Sequence, residues 1–205
     1  MKKALILVDI QNDFCPGGAL AVNNGDKIVN VVNSIIDKFD NVIATQDWHP
    51  LDHVSFASNN QDKKVGDLID LNGISQVMWP NHCVQNSYGS EFVKELKTEK
   101  ITKVFKKGTD LNVDSYSGFY DNDHKKSTGL GDYLKNEKIN EVYITGLATD
   151  YCVKYTVLDA LNLGIKTNLV IDAVRGVNLS PDDSENAIKE MEKAGAKIIK
   201  SSQII

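Results

Sequence analysis

Arginine is almost absent from this chain. Arg175 is the only one in 205 residues, so no arginine cluster can clamp phosphates, and only lysines remain as point charges for anions. A net basic charge is missing too. The formal charge of −5 argues against a nucleic-acid or anionic-membrane partner, where a basic patch is expected. No apolar run approaches the length of a membrane span. The opening "MKKALILVDIQND" superficially resembles a signal peptide, but its apolar run ends at Asp9 and no small-residue cleavage site follows. It reads as a buried first strand. Cysteine is scarce: Cys15, Cys83 and Cys152 are an odd set without metal-finger spacing, which argues against a disulfide framework and predicts reduced thiols in a cytoplasmic protein. Repeats and low-complexity linkers are lacking. The length fits a single domain, residues 1–205, with a core of its own. Nothing in the sequence decides whether it forms a homo-oligomer.

What the chain does have is six apolar, β-branched runs: "KALILVDI", "NVIATQDW", "KITKVFKK", "EVYITGLA", "IKTNLVIDA" and "AKIIKSS". Most are near-continuous, as expected of strands covered on both faces. Helical patterns lie between several of them. "DKIVNVVNSIIDKF" carries Ile28, Val32, Ile35, Ile36 and Phe39 on one stripe. "SEFVKELKTE", "LGDYLKNEK", "TDYCVKYTVLDALNLG" and "SPDDSENAIKEMEKAG" have similar patterns, and the last two stop at Gly164 and Gly195. Strands alternating with helices predict a three-layer αβα, doubly wound fold on a mostly parallel six-stranded sheet. The stretch from His49 to Ser90 has little helical pattern and many polar residues, and long loops of this kind are usually functional.

In such sheets ligands bind at the carboxyl ends of the strands. Asp9 ends the first run, Asp47 the second and Lys106–Lys107 the third, and Cys152 follows the fourth. Four reactive side chains at four strand ends are the main chemical signal. Thr149 is an N-cap candidate, which puts Cys152 in a first helical turn where free N–H groups favour a thiolate and an oxyanion. On this segment alone, the plainer reading of a buried inert cysteine is stronger. Asp9 beside a thiol can take its proton and pass it to a leaving amine; its plainer role is capping the turn "QNDF". A lysine at the third strand end can stabilise anions, but alternation sends Lys106 and Lys107 to opposite sides, and spacing does not choose between them.

"TQDWHPLDH" has metal character. Asp47 and His49 are two apart and point the same way in an extended segment. His82 in "WPNHC" is a third candidate ligand, and His53 a further ligand or a partner to one. Mixed carboxylate and imidazole donors suit zinc, iron or manganese. The competing reading is a loop of hydrogen-bonded surface histidines. His124 reads as solvated. Phe14, Trp79 and Tyr116 sit in loop contexts where aromatics can form a slot for a flat ring, or simply cover the core edge.

Five stretches, "LVDIQNDFCPGGAL", "TQDWHPLDHVSFAS", "WPNHCVQNSYGSEF", "KKGTD…DSYSGFYDN" and "TGLATDYCVKYTVLDALNLG", together resemble the nicotinamidase/pyrazinamidase family of the isochorismatase-like cysteine hydrolases. The resemblance covers essentially the whole chain, with the motifs in the family's order. It implies a catalytic triad of Asp9, Lys107 and Cys152, and so selects Lys107 over Lys106. It implies oxyanion donors in the backbone amides of Ala148 and Cys152, with a cis peptide before Ala148. It implies one divalent metal, zinc with iron or manganese as alternatives, on Asp47, His49 and His82, with His53 as a further ligand in some members. It places Phe14, Trp79 and Tyr116 around the substrate ring. The implied reaction is metal-dependent hydrolysis of nicotinamide to nicotinate and ammonia, and of pyrazinamide to pyrazinoate, through a cysteine thioester in NAD salvage. The nearest rival is another amidase of the superfamily, for ureido or N-carbamoyl substrates, which needs no ring-anchoring metal. Isochorismatase proper, whose vinyl-ether hydrolysis needs no cysteine nucleophile, and a non-catalytic binding module fit the residues less well.

Overall fold

A computed structural model describes residues 2–71 and 73–205. The apolar runs become one six-stranded sheet. Its strands are β1 (Lys2–Val8), β2 (Val42–Asp47), β5 (Lys103–Lys107), β6 (Ile139–Leu147), β7 (Lys166–Arg175) and β8 (Lys197–Ile199). The order is β5-β2-β1-β6-β7-β8, and every pair is parallel. The chain winds outward from β1 to β5, then returns to add β6 on the other side of β1. That reversal makes the β1/β6 boundary the topological switch point, where a crevice opens at the carboxyl ends.

Strand alternation divides the core. Leu5 and Leu7 of β1 face α1 (Lys27–Ile35), packing with Ile28, Val32 and Ile35. Ala4, Ile6 and Val8 face the other layer, with Leu130 and Leu134 of α2 (Leu130–Asn136), Val157 and Ala160 of α3 (Lys154–Asn162), and Ala187 and Met191 of α4 (Asp183–Lys193). Because both faces are covered, the central strands carry no polar face, which is why they read as unbroken apolar runs. The three-layer expectation and the parallel sheet are both observed. No helix among the described residues is long and apolar enough to cross a membrane.

Two local expectations fail, and one element was not anticipated. "SEFVKELKTE" is not an α-helix; it runs as turns and a short 3-10 segment, Thr98–Lys100. Val93 donates its N–H to the carbonyl of Ile10, and Phe92 bridges Gln11. Those tertiary bonds use backbone groups that a helix would need for itself. The long segment after His49 contains an antiparallel hairpin, β3 (Leu68–Leu71) with β4 (Ile74–Val77), that periodicity did not reveal. Finally, Thr149 caps nothing. It begins a π turn, Thr149–Val153, in which the carbonyl of Ala148 accepts from both Tyr151 and Val153, and α3 starts only at Lys154.

Ile6 is fully buried in the central strand. Replacing it by alanine should lower the unfolding free energy by about 3 kcal/mol, read as a shifted urea midpoint with an unchanged m value.

Candidate active site

Four strand ends meet in one crevice. Asp47 and Lys107 are register partners on β2 and β5, so their side chains emerge side by side. The Lys107 ammonium donates to Asp47 Oδ1 at 2.5 Å and to the carbonyl of Ser115 at 2.9 Å. It also lies 2.9 Å from Asp9 Oδ2 and 3.4 Å from Cys152 Sγ. Its side chain is fully buried. Lys106 leaves the opposite face, with its ammonium 3.4 Å from the centre of the Trp48 ring.

Asp9 sits just past β1 at φ 48°, in the left-handed region, where a residue with a Cβ carries about 1 kcal/mol of strain. Its carboxylate accepts from the Thr45 hydroxyl at 2.6 Å. The turn-capping role that competed for Asp9 belongs to Asp13, which accepts from the N–H groups of Ala19 and Cys83. Cys152 stands in the π turn after β6, and the peptide between Leu147 and Ala148 is cis.

Electrostatics separates the two carboxylates. Burial alone would raise both. At Asp47, Lys107, His49 and His82 outweigh burial and hold the carboxyl well below its ordinary range. At Asp9 burial prevails over Lys107, and the charge of Asp47 adds to it, so the carboxyl is raised. Lys107 is raised despite burial by its two carboxylate partners and stays charged. Burial also pushes the Cys152 thiol well up, against the pull of Lys107. The position at the start of a helix suggested an easily ionised thiol; desolvation outweighs that effect. The resting group is a thiol beside a carboxyl poised to exchange a proton. The other cysteines are free as well. Burial, with Asp26 and Glu95, pushes Cys15 up to about 11, and burial with Asp47 and Asp13 also pushes Cys83 well up.

Asp47, His49 and His82 converge beside this cluster, their donor atoms all within 4.8 Å of one another. A parallel bridge between His49 and Val84 brings the two loop segments together. His49 Nδ1 lies 2.9 Å from the Gly108 carbonyl and His82 Nδ1 lies 2.8 Å from that of Pro80. A carbonyl can only accept, so each Nδ1 carries a proton, which leaves each Nε2, 3.5 and 3.7 Å from Asp47 Oδ2, as the nitrogen that would ligate an ion. Burial opposes a charge on His49, yet Asp47 outweighs it and raises the imidazole above its ordinary value. This donor set fits a divalent cation. Gly108 is required here: at φ 63°, a Cβ would stand 2.4 Å from His49 Cε1. His53 is fully buried, with its ring centroid 4.4 Å from that of His49. Its Nδ1 accepts the Ser55 N–H at 3.2 Å, and its Nε2 has no partner among the described residues.

A narrow cavity of about 20 Å³ opens over Cys152. Phe14, Trp79 and Tyr116 all line it, with Ala148, His82 and Asp47. Four lining residues did not emerge from the sequence: Leu20, Asp114, Tyr151 and Val177. Tyr151 packs edge-on to Trp79 at 4.8 Å. Its place in "ATDYC", one residue before the cysteine, was the available signal. Gln11 was missed as well. Its amide bonds both backbone groups of Asp47, at 2.8 and 2.9 Å, and so ties β2 to the Asp9 turn. His124 is exposed, as expected, and stacks on Tyr120.

Residues 3–203 match the isochorismatase domain. The nicotinamidase of Escherichia coli (strain K12) is 50% identical over 96% of this chain and 93% of that protein. Among solved structures, a nicotinamidase/pyrazinamidase from Acinetobacter baumanii superposes with a TM-score of 0.97 at 42% identity, over 100% of this chain and 98% of the other. A pyrazinamidase of Pyrococcus horikoshii, solved in complex with zinc, has a TM-score of 0.80 at 40% identity, over 98% of this chain and 99% of its own.

Changing Gly108 to alanine should displace the His49 ring while leaving the fold in place. Zinc affinity, measured by chelator competition, should fall at least about tenfold with an unchanged far-UV spectrum.

Proposed function

The chain belongs to the isochorismatase family and is an amidohydrolase of its nicotinamidase/pyrazinamidase branch; on that premise we propose that it hydrolyses nicotinamide to nicotinate and ammonia, and pyrazinamide to pyrazinoate. The observation that carries this reading is the divided carboxylate pair. One lysine holds Asp47 ionised beside two histidines and leaves Asp9 raised beside a thiol. Pairs of carboxylates driven apart in this way mark a charge-holding partner and a proton-carrying one.

In the proposed reaction the carboxamide lies over Cys152, with the pyridine ring between Phe14, Trp79 and Tyr116. Asp9 takes the Sγ proton as sulfur attacks the carboxamide carbon. The backbone N–H groups of Ala148 and Cys152 receive the oxyanion. Lys107 stays charged and offsets the negative charge shared by Asp9 and sulfur. Asp9 then hands its proton to the amide nitrogen, the C–N bond breaks and ammonia leaves, giving a thioester on Cys152. Water attacks the thioester, Asp9 accepts its proton, and that proton returns to sulfur as nicotinate departs. Asp47, His49 and His82 would hold a divalent ion, zinc in the first place, which would orient the ring through the pyridine nitrogen. His53, whose buried Nε2 has no partner among the described residues, is a further candidate ligand beside His49 and Asp114. The aromatic lining of the cavity and the histidine pair favour this substrate over ureido or N-carbamoyl amides. Three free thiols fit a reducing, cytoplasmic setting and a place in NAD salvage.

Ammonia release from nicotinamide tests the reading. Metal-loaded wild type should turn over, and Cys152→Ala should fall below about one thousandth of that rate. An active alanine variant would remove the thioester. A wild type that ignores nicotinamide but cleaves an N-carbamoyl amide would move the chain to the rival activity. Verified metal removal should separately weaken nicotinamide binding in calorimetry, and unchanged affinity would end the ring-anchoring role.

A further inference from the structure

The β3–β4 hairpin stands outside the main sheet, and of the eight residues in its two strands only Gln76 is buried, at 1% exposure. Packing alone would be served by an apolar side chain at that position. A buried amide must instead satisfy both of its ends. Gln76 Nε2 lies 3.0 Å from Tyr116 Oη, 3.2 Å from Asp114 Oδ2 and 2.8 Å from the carbonyl of Val77. Its Oε1 accepts from Asn122 Nδ2 at 3.4 Å. Three acceptors around one nitrogen and a donor at the oxygen assign the orientation of the amide.

Both side-chain partners face the cavity from the loop after β5. Tyr116 Oη also accepts from Trp79 Nε1 at 3.2 Å, so two wall aromatics meet at an atom that Gln76 helps to hold. Asp114 carries the other bond. It is buried, its carboxyl is lowered by His49 and His53 against the effect of burial, and its oxygen lies within 4.8 Å of donor atoms on both histidines. One side chain from the hairpin therefore links the ring wall to the metal-side carboxylate.

We propose that Gln76 is a positioning residue: by bonding Tyr116 and Asp114 together it fixes the width of the slot that takes the flat substrate ring, and so sets affinity for the amide substrate and its acid product. The inference rests on the nicotinamidase reading above. Its action is on binding, because neither Gln76 nor Tyr116 contacts Asp9 or sulfur in the network described.

The test uses the metal-loaded enzyme with Gln76→Met, which fills the space without hydrogen bonds, Gln76→Ala, Tyr116→Phe and the double variant Gln76→Met/Tyr116→Phe. KM and kcat for nicotinamide, the Kd of nicotinate by calorimetry and the thermal midpoint are measured for each. Gln76→Met should raise KM and Kd about five- to tenfold with kcat changed less than about twofold. The double variant should fall short of the product of the two single effects, because the two side chains share one hydrogen bond. A folded Gln76→Met variant with wild-type KM and Kd, or strictly multiplicative effects in the double variant, overturns the proposal and leaves the amidase reading standing. A wild type inactive on nicotinamide overturns both.

Discussion

A single buried ammonium organises this molecule. Lys107 has no exposed side-chain surface, and an ion in that position would cost several kcal/mol if left unpaired. It is instead surrounded by two carboxylates, a carbonyl and a sulfur, each delivered by a different segment: Asp9 after β1, Asp47 at the end of β2, Ser115 from the loop after β5 and Cys152 after β6. One positive charge cannot neutralise two carboxylates equally. Asp47 also has His49 and His82 and stays ionised; Asp9 has only a hydroxyl besides and is raised. The asymmetry between a charge holder and a proton carrier follows from the distribution of partners around one lysine.

The sheet makes that meeting possible. Parallel strands end together, and the reversal at β1/β6 leaves room above their ends. Register places Asp47 beside Lys107. The loops then complete the crevice by close approach. Gly108 follows the lysine because the His49 ring occupies the space a side chain would need, so the Lys-Gly pair serves the ammonium and the imidazole at once. The π turn brings Ala148 and Cys152 under the aromatic cavity.

Much of this was legible in the chain. The six strand runs are near-continuous because both faces of the sheet are covered, and that same burial makes a polar residue at a strand end conspicuous. Asp9, Asp47 and the Lys106–Lys107 pair stood out for that reason. "SEFVKELKTE" misled because its apolar spacing serves a run of turns bonded to Ile10. Thr149 looked like a cap because the residues after it are helical, but a π turn intervenes and its hydroxyl caps nothing. Gln76 carried no periodic or motif signal, and Gln11 and Asp114 lay inside quoted motifs without standing out as site residues. Their importance lies in partners far along the chain, such as the backbone of Asp47 for Gln11.

By itself the sequence determined the layer architecture, the candidate nucleophile and the residue types at each strand end, because these depend on local apolar pattern and on chemistry at known positions. Its spacing did not determine which of two adjacent lysines turns inward, a choice that only the family resemblance made; alternation is local, but the inner face is defined only once β5 pairs with β2. The buried state of the Cys152 thiol, and the split between Asp9 and Asp47, were likewise decided only in three dimensions. They arise from desolvation and from charges brought together by folding, and neither quantity exists until the strands have been placed side by side.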